Sequence, residues 1–143
     1  MPILNYTTTI SSHKSVGEIQ EILAHAGAMA VSIDYDTHGQ PDALMFLIKV
    51  RDEPISFRLP SRWQGVYKRL LEDPKVPKSQ RSEEQARRVA WRIVKDWCEA
   101  QLAIVDAGQA MLAEVFLPYA VTQSGATVYQ IFESNQKLLI SGE

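Results

Sequence analysis

AVSIDYDTHGQPDALMFLIKVRDEPISFRLP, residues Ala30 to Pro60, is the stretch from which the architecture follows. Apolar and polar residues alternate from Ala30 to Tyr35. Asp36-Thr37-His38-Gly39 then offers a turn, and Leu44, Phe46, Ile48 and Val50 resume the alternation. Period two on either side of a Gly-containing turn marks a hairpin, because successive strand side chains point to opposite faces. Asp52-Glu53-Pro54 supplies a second turn. After it, Ile55, Phe57 and Leu59 alternate with Ser56 and Arg58 until Pro60, which has no N–H to donate, closes the strand.

Working outward, Ile3 to Ile10 reads as a further strand. Ser15-Val16-Gly17-Glu18 reads as the capping box of a helix carrying Val16, Ile19, Ile22 and Leu23 and ending at Gly27. Downstream, Ser61 is placed to cap a helix from about Arg62 to Glu72, with Trp63, Val66, Tyr67 and Leu70 along one stripe. Asp73 to Arg81 holds Pro74 and Pro77 among basic residues, which predicts an extended, mobile connection. Ser82-Glu83-Glu84-Gln85 then opens a helix from Glu83 to about Ala107, apolar over so much of its circumference that it is expected to be central. Gly108 stops it. A helix through Met111 to Tyr119, ended by Pro118, and a short one at Val128 to Phe132 before a frayed tail complete the expectation. The predicted fold is α+β. A small antiparallel sheet, in the order β-α-β-β-β, occupies about residues 1–60, and helices from about 61–143 pack on one face of it.

With 143 residues and 45% apolar content, the chain suffices for one domain with its own core. The lone Cys98 cannot form an internal disulfide, and the first nine residues lack the charged and apolar regions of a signal peptide. A reducing, cytoplasmic setting is expected. The longest apolar run, Ala43 to Ile48, cannot span a bilayer, so no membrane role is expected. A sequence pI near 5.9 argues against a dedicated coat for duplex DNA.

That modest pI hides a polarised sequence. Residues 49–95 hold thirteen basic and six acidic residues, a charge of +7, while two basic and eleven acidic residues leave −9 on the remainder. Guanidinium forks match phosphate oxygens and indole faces match bases, so arginines beside tryptophans point to a phosphate-bearing ligand, a nucleotide or a nucleic acid. The candidate contacts are Arg58, Arg62, Arg88 and Arg92, with Trp63 and Trp91 as stacking surfaces. A competing explanation is helical salt bridging. Glu83 precedes Arg87, Glu84 precedes Arg88, Arg92 precedes Asp96 and Lys95 precedes Glu99, each by four residues. Tryptophans spaced among aliphatics are also ordinary core residues.

An enzyme is the weaker reading. Asp34, Asp36 and His38 could serve a metal-dependent phosphodiesterase, but Asp-x-x-Gly between alternating strands is ordinary hairpin chemistry. His13 and His25 have no ligand partners at metal spacing on their own elements. There is no Gly-rich phosphate loop and no nucleophile elbow. No cofactor and no metal are expected.

The blocks Phe57-Arg58-Leu59-Pro60, Arg88 to Trp97 with Glu99-Ala100-Gln101, and Val115-Phe116-Leu117-Pro118-Tyr119 together resemble a group of small uncharacterised proteins encoded by bacteriophages and other mobile elements. The resemblance spans nearly the whole chain and carries over no catalytic residues. It implies an accessory protein in the bacterial cytoplasm that acts by binding, either sequestering a nucleotide immune signal or blocking a host defence protein. The leading expectation is thus a non-catalytic binder of a phosphate-bearing ligand. The runner-up is an inhibitor or adaptor that docks on a host protein, and the broad apolar face of the long helix raises the expectation of a homo-oligomer.

Overall fold

A computed structural model describes residues 2–136 and 140. Its sheet has three antiparallel strands in the order β1 (Ala30–Tyr35), β2 (Pro41–Val50), β3 (Glu53–Pro60). Register puts Ile33 beside Leu44 beside Leu59, and Val31 beside Phe46 beside Phe57, which gathers every alternating apolar residue onto one face. The first turn is built by Asp36, whose carboxylate accepts from the backbone N–H of His38 and Gln40 while Gly39 takes a φ of 78°. The second turn falls one residue earlier than expected. Arg51 and Asp52 both adopt positive φ, the two-residue geometry that matches strand twist, and Pro54 is accommodated as an exposed residue of the edge strand β3.

One described helix precedes the strands and the others follow them, and helices from both groups cover the apolar face. The inner residues of β2 and β3 pack with Val16, Ile19 and Leu23 of α1 (Ser12–His25) and with Trp91 and Cys98 of α3 (Glu83–Asp106). Phe116 of α4 (Leu112–Phe116) closes the cluster, lying edge-on to both Phe46 and Trp97. α2 (Trp63–Glu72) packs on α3 through a separate cluster of Leu70, Val76 and Ala86. α5 (Val128–Ser134) ends the described helices, and the expected frayed tail falls mostly outside the described residues. The α+β class, the small antiparallel sheet and the central long helix are as expected.

Several local expectations are corrected. Residues 3–10 form turns instead of a strand: Tyr6 N–H bonds the Ile3 carbonyl, Thr8 N–H bonds that of Asn5, and Asn5 has a φ of 65°. The carbonyls of Tyr6 and Thr8 are instead satisfied by the Gln85 amide, at 2.9 Å each, and Ile3 and Tyr6 feed the α2–α3 cluster. With its NH2 donating there and its carbonyl oxygen accepting from Arg88, Gln85 does not return to the Ser82 N–H, so α3 is capped by the Ser82 side chain without a reciprocal partner. The first helix starts a turn earlier than predicted. Ser11 accepts the Lys14 N–H, Ser15 is buried inside the helix, and Glu18 turns away to Arg92.

Residues 73–81 are compact, not extended. Asp73 accepts the Lys75 and Val76 N–H groups and the Arg81 guanidinium, a 3-10 turn runs through Lys78–Gln80, and Val76 is buried. Finally, Ser61 does not cap α2. Arg62 occupies the cap position without a side-chain hydrogen bond, and the Ser61 hydroxyl is buried without a partner.

Candidate functional site

The segment following α4 determines where the exposed basic residues meet a concavity. Pro118 tightens residues Leu117–Tyr119 into a 3-10 turn, after which Ala120 bridges to Phe57 and the Val121 N–H bonds the Ser56 carbonyl. This adds a short backbone contact along the edge of β3. Thr122 and Ala126 then close a tight loop with Gly125 at a φ of 90°, and Thr127 and Gln130 form a reciprocal cap at the start of α5. The result is a pocket of about 580 Å³ between β3, the start of α2 and the start of α5, lined by Arg58, Pro60, Arg62, Pro118, Tyr119, Gly125, Thr127, Tyr129 and Gln130.

Its chemistry is one-sided. No carboxylate, histidine or cysteine is among the lining residues. Arg62 is exposed and has no ion-pair partner among the described residues. It sits at the start of a helix with no side-chain cap and no acid in its first turn, where free backbone N–H groups favour an anion. Gln130 uses its carbonyl oxygen on the Thr127 N–H at 2.8 Å, which leaves its NH2 as a donor. Tyr119 is held edge-on by Trp97, with ring centroids 5.7 Å apart, and Tyr129 is exposed. Donors and phenol rings together suit an electron-rich anion carrying an aromatic group.

Arg58 enters this pocket already partnered. It lies on the outer sheet face and reaches across Met45 of β2 to the Asp34 carboxylate on β1, with Nη1 3.7 Å from the Met45 sulfur. Both side chains remain substantially exposed, at 36% and 49%.

The remaining sequence candidates are placed elsewhere. Trp91 is fully buried and its indole N–H donates to the Pro41 carbonyl at 3.1 Å, so it presents no face to a ligand. Arg92 is buried and paired with Glu18 at 2.8 and 3.3 Å. That pairing holds the Glu18 carboxyl below its usual range and the Arg92 guanidinium above its own. Arg88 bonds Glu84 and Gln85. Trp63 is half-buried beneath the Arg87 guanidinium, 4.3 Å from the ring centroid, and Arg87 itself lies 3.1 Å from Asp36. Only Arg58 and Arg62 of the six candidates meet in one concavity.

Asp34 and Asp36 are engaged by Arg58 and Arg87, and among the described residues no group of three or more His, Cys, Asp or Glu is placed to hold a metal ion. The His38 backbone N–H donates to the Asp36 carboxylate as part of the turn. No described helix is long and apolar enough to cross a membrane.

A second concavity, about 700 Å³, opens between the C-terminal halves of α1 and α3. Ile22, Ala26, Leu102 and Val105 form its floor, and Glu21, Glu99 and Asp106 stand around it with His25. Its sign is opposite to that of the first pocket. Compared with protein-family models, curated proteins and solved structures, the chain matches none.

Sequence reasoning missed Tyr119, Thr127, Tyr129 and Gln130. Thr127-x-x-Gln130 does carry a capping-box signature, and Gly125 marks a turn before it. Nothing in the sequence says that this turn lies beside β3.

Proposed function

We propose that the protein is a non-catalytic binder of a phosphate-bearing ligand, with a small nucleotide favoured over a nucleic-acid strand. The observation carrying this reading is that Arg58 and Arg62 line one pocket of about 580 Å³ together with Tyr119 and Tyr129. That volume lies in the range of ligand sites, roughly 300–1,000 Å³, and suits a nucleoside with its phosphate. The α3 cations that a strand could have followed are mostly closed by carboxylates. Together with the resemblance to phage and mobile-element proteins, this supports an accessory protein of the bacterial cytoplasm that withholds a nucleotide signal.

The experiment is a thermal-shift and calorimetric panel of mononucleotides, cyclic nucleotides, ADP-ribose derivatives and short DNA and RNA. A ligand at about 100 times its dissociation constant should add about 2.7 kcal/mol to stability. A strand should show an affinity falling with salt at a log–log slope of about −0.7 per neutralised phosphate, and a small nucleotide a shallow one. No binding by any member at low salt would end the phosphate-binder reading.

The acid-rimmed groove between α1 and α3 favours a second reading, an inhibitor or adaptor docking on a host protein. A basic, apolar segment of that protein is the complementary partner. Charge-reversing Glu21→Lys and Asp106→Lys, which alter the groove and leave the first pocket intact, would separate the two readings in a host-protein binding assay.

A further inference from the structure

The charge of the pocket is governed by a residue that does not line it. Among the described residues Arg62 has no ion-pair partner, whereas the Arg58 guanidinium is drawn over β2 and neutralised by Asp34. Taken together, Arg58, Arg62 and Asp34 present one net positive charge to an incoming anion. Among the described residues no carboxylate lines the pocket that could help hold a divalent cation, so a second negative charge on the ligand would meet no further neutralising group there. The site's net positive charge still attracts that second charge, but the ligand must shed a tighter hydration shell with no second free guanidinium to replace the water, and the Asp34 carboxylate paired with Arg58 opposes it.

From this we infer that the pocket takes a singly charged phosphodiester in preference to a doubly charged terminal phosphate, and that Asp34 sets the preference by keeping Arg58 neutralised. The inference rests on the phosphate-binding reading above. A diester spreads one charge over two non-bridging oxygens, which matches one free guanidinium with a helix start beside it. The Gln130 NH2 can donate to a base or to a sugar oxygen, and the tyrosine rings offer aromatic surface to the base. A terminal phosphate at pH 8 carries a second charge, since its second pKa is about 6. Two unit charges 4 Å apart in water interact by about 1 kcal/mol, so a preference of roughly five-fold is the expected scale. In effect Asp34 competes with the ligand for Arg58.

The test is calorimetry at pH 8 with the four 3′,5′-cyclic nucleoside monophosphates against the four 5′-monophosphates of the same nucleosides. Wild type should bind a cyclic form about five-fold more tightly than its 5′-monophosphate. Asp34→Asn, which removes only one arm of an exposed pair and should stay folded, should raise affinity for the 5′-monophosphate and bring the ratio to one or below. A hexanucleotide without terminal phosphates distinguishes the source of the diester: its binding with a steep salt slope assigns a strand, and binding of cyclic forms alone assigns a small signal.

Equal or tighter binding of the 5′-monophosphates by wild type would overturn the inference and leave the binder reading standing. An unchanged ratio in Asp34→Asn would remove Asp34 from the role assigned here. Failure of every probe to bind would take down the binder reading and this inference with it.

Discussion

On α3, Arg87, Arg88, Arg92 and Lys95 each end on a carboxylate, two of them contributed by elements far away in sequence: Asp36 in the β1–β2 turn and Glu18 on α1. At the junction of β3 and α2, Arg62 has no acid to meet among the described residues and Arg58 has a single exposed one. In the sequence the two clusters look alike, both basic and both beside tryptophan. Their difference is topological. α3 is buried among elements that bring acids to it, whereas the junction lies at the edge of the sheet, where the described residues that arrive come from the Leu117–Tyr119 turn, the loop after it and α5, and these bring tyrosines and an amide. Local charge density therefore measures how many cations are supplied and says little about how many remain available.

The strongest way to break this comparison is at Trp91, which the structure makes a core residue and the ligand hypothesis made a stacking surface. Trp91→Ala should cost about 3–5 kcal/mol in urea unfolding, as expected for emptying a fully buried aromatic site. A stability change below about 1 kcal/mol would contradict that placement. Arg92→Ala should follow at about 2 kcal/mol, because the Glu18 carboxylate loses both hydrogen bonds from Arg92 while it keeps 30% side-chain exposure and Lys95 at 3.8 Å.

Arg62→Ala should do the opposite. Stability should move by no more than about 0.5 kcal/mol, while nucleotide affinity should fall by about 2 kcal/mol or more in calorimetry. If Arg62→Ala unfolds the protein, or leaves affinity untouched, the junction is not an open site.

The smallest effect concerns pH. The Glu18 carboxyl is held below its usual range of about 4.5 chiefly by the Arg92 hydrogen bond, and Asp36 below its own of 3.8 chiefly by the Gln40 N–H. A depressed folded-state pKa means that the contribution is fully present above the unfolded value and is lost as pH falls through the folded one. Urea midpoints should therefore be flat from pH 7 to about 5 and decline below it. Glu18→Gln should lower the neutral-pH midpoint and shrink the decline. An undiminished acid decline in that variant would assign it to other carboxylates.

How much of this was legible varies by element, for identifiable reasons. The hairpins were readable because period-two alternation at Leu44, Phe46 and Ile48 and at Ile55, Phe57 and Leu59 leaves no competing geometry. Residues 3–10 were misread because Ile3 and Tyr6 are apolar for the sake of a cluster with α2 and α3. The carbonyls of Tyr6 and Thr8 meet the side chain of Gln85, 79 positions from Tyr6.

The salt-bridge ladder was half right. Glu84–Arg88 and Lys95–Glu99 form, whereas Arg87 and Arg92 prefer tertiary partners that no local spacing reveals. In the candidate site, Arg58 and Arg62 could be singled out because no acid stands at ladder spacing from them. Tyr119, Thr127, Tyr129 and Gln130 could not, because they arrive through one backbone bridge between Phe57 and Ala120.

The chain's single cysteine, Cys98, is fully buried in the main cluster, and burial pushes its thiol up to about 12. A thiol so protonated and so enclosed is inert toward electrophiles while the core is intact, and it reacts only when that core opens. Alkylation of this one sulfur is thus a label-free clock for the opening of the whole domain. Its rate, divided by that of an unprotected thiol, gives the open fraction when closing outpaces the chemistry. A ligand that binds only the closed form should slow the clock in proportion to its occupancy, so the same cysteine can screen for that ligand without any probe placed near the pocket.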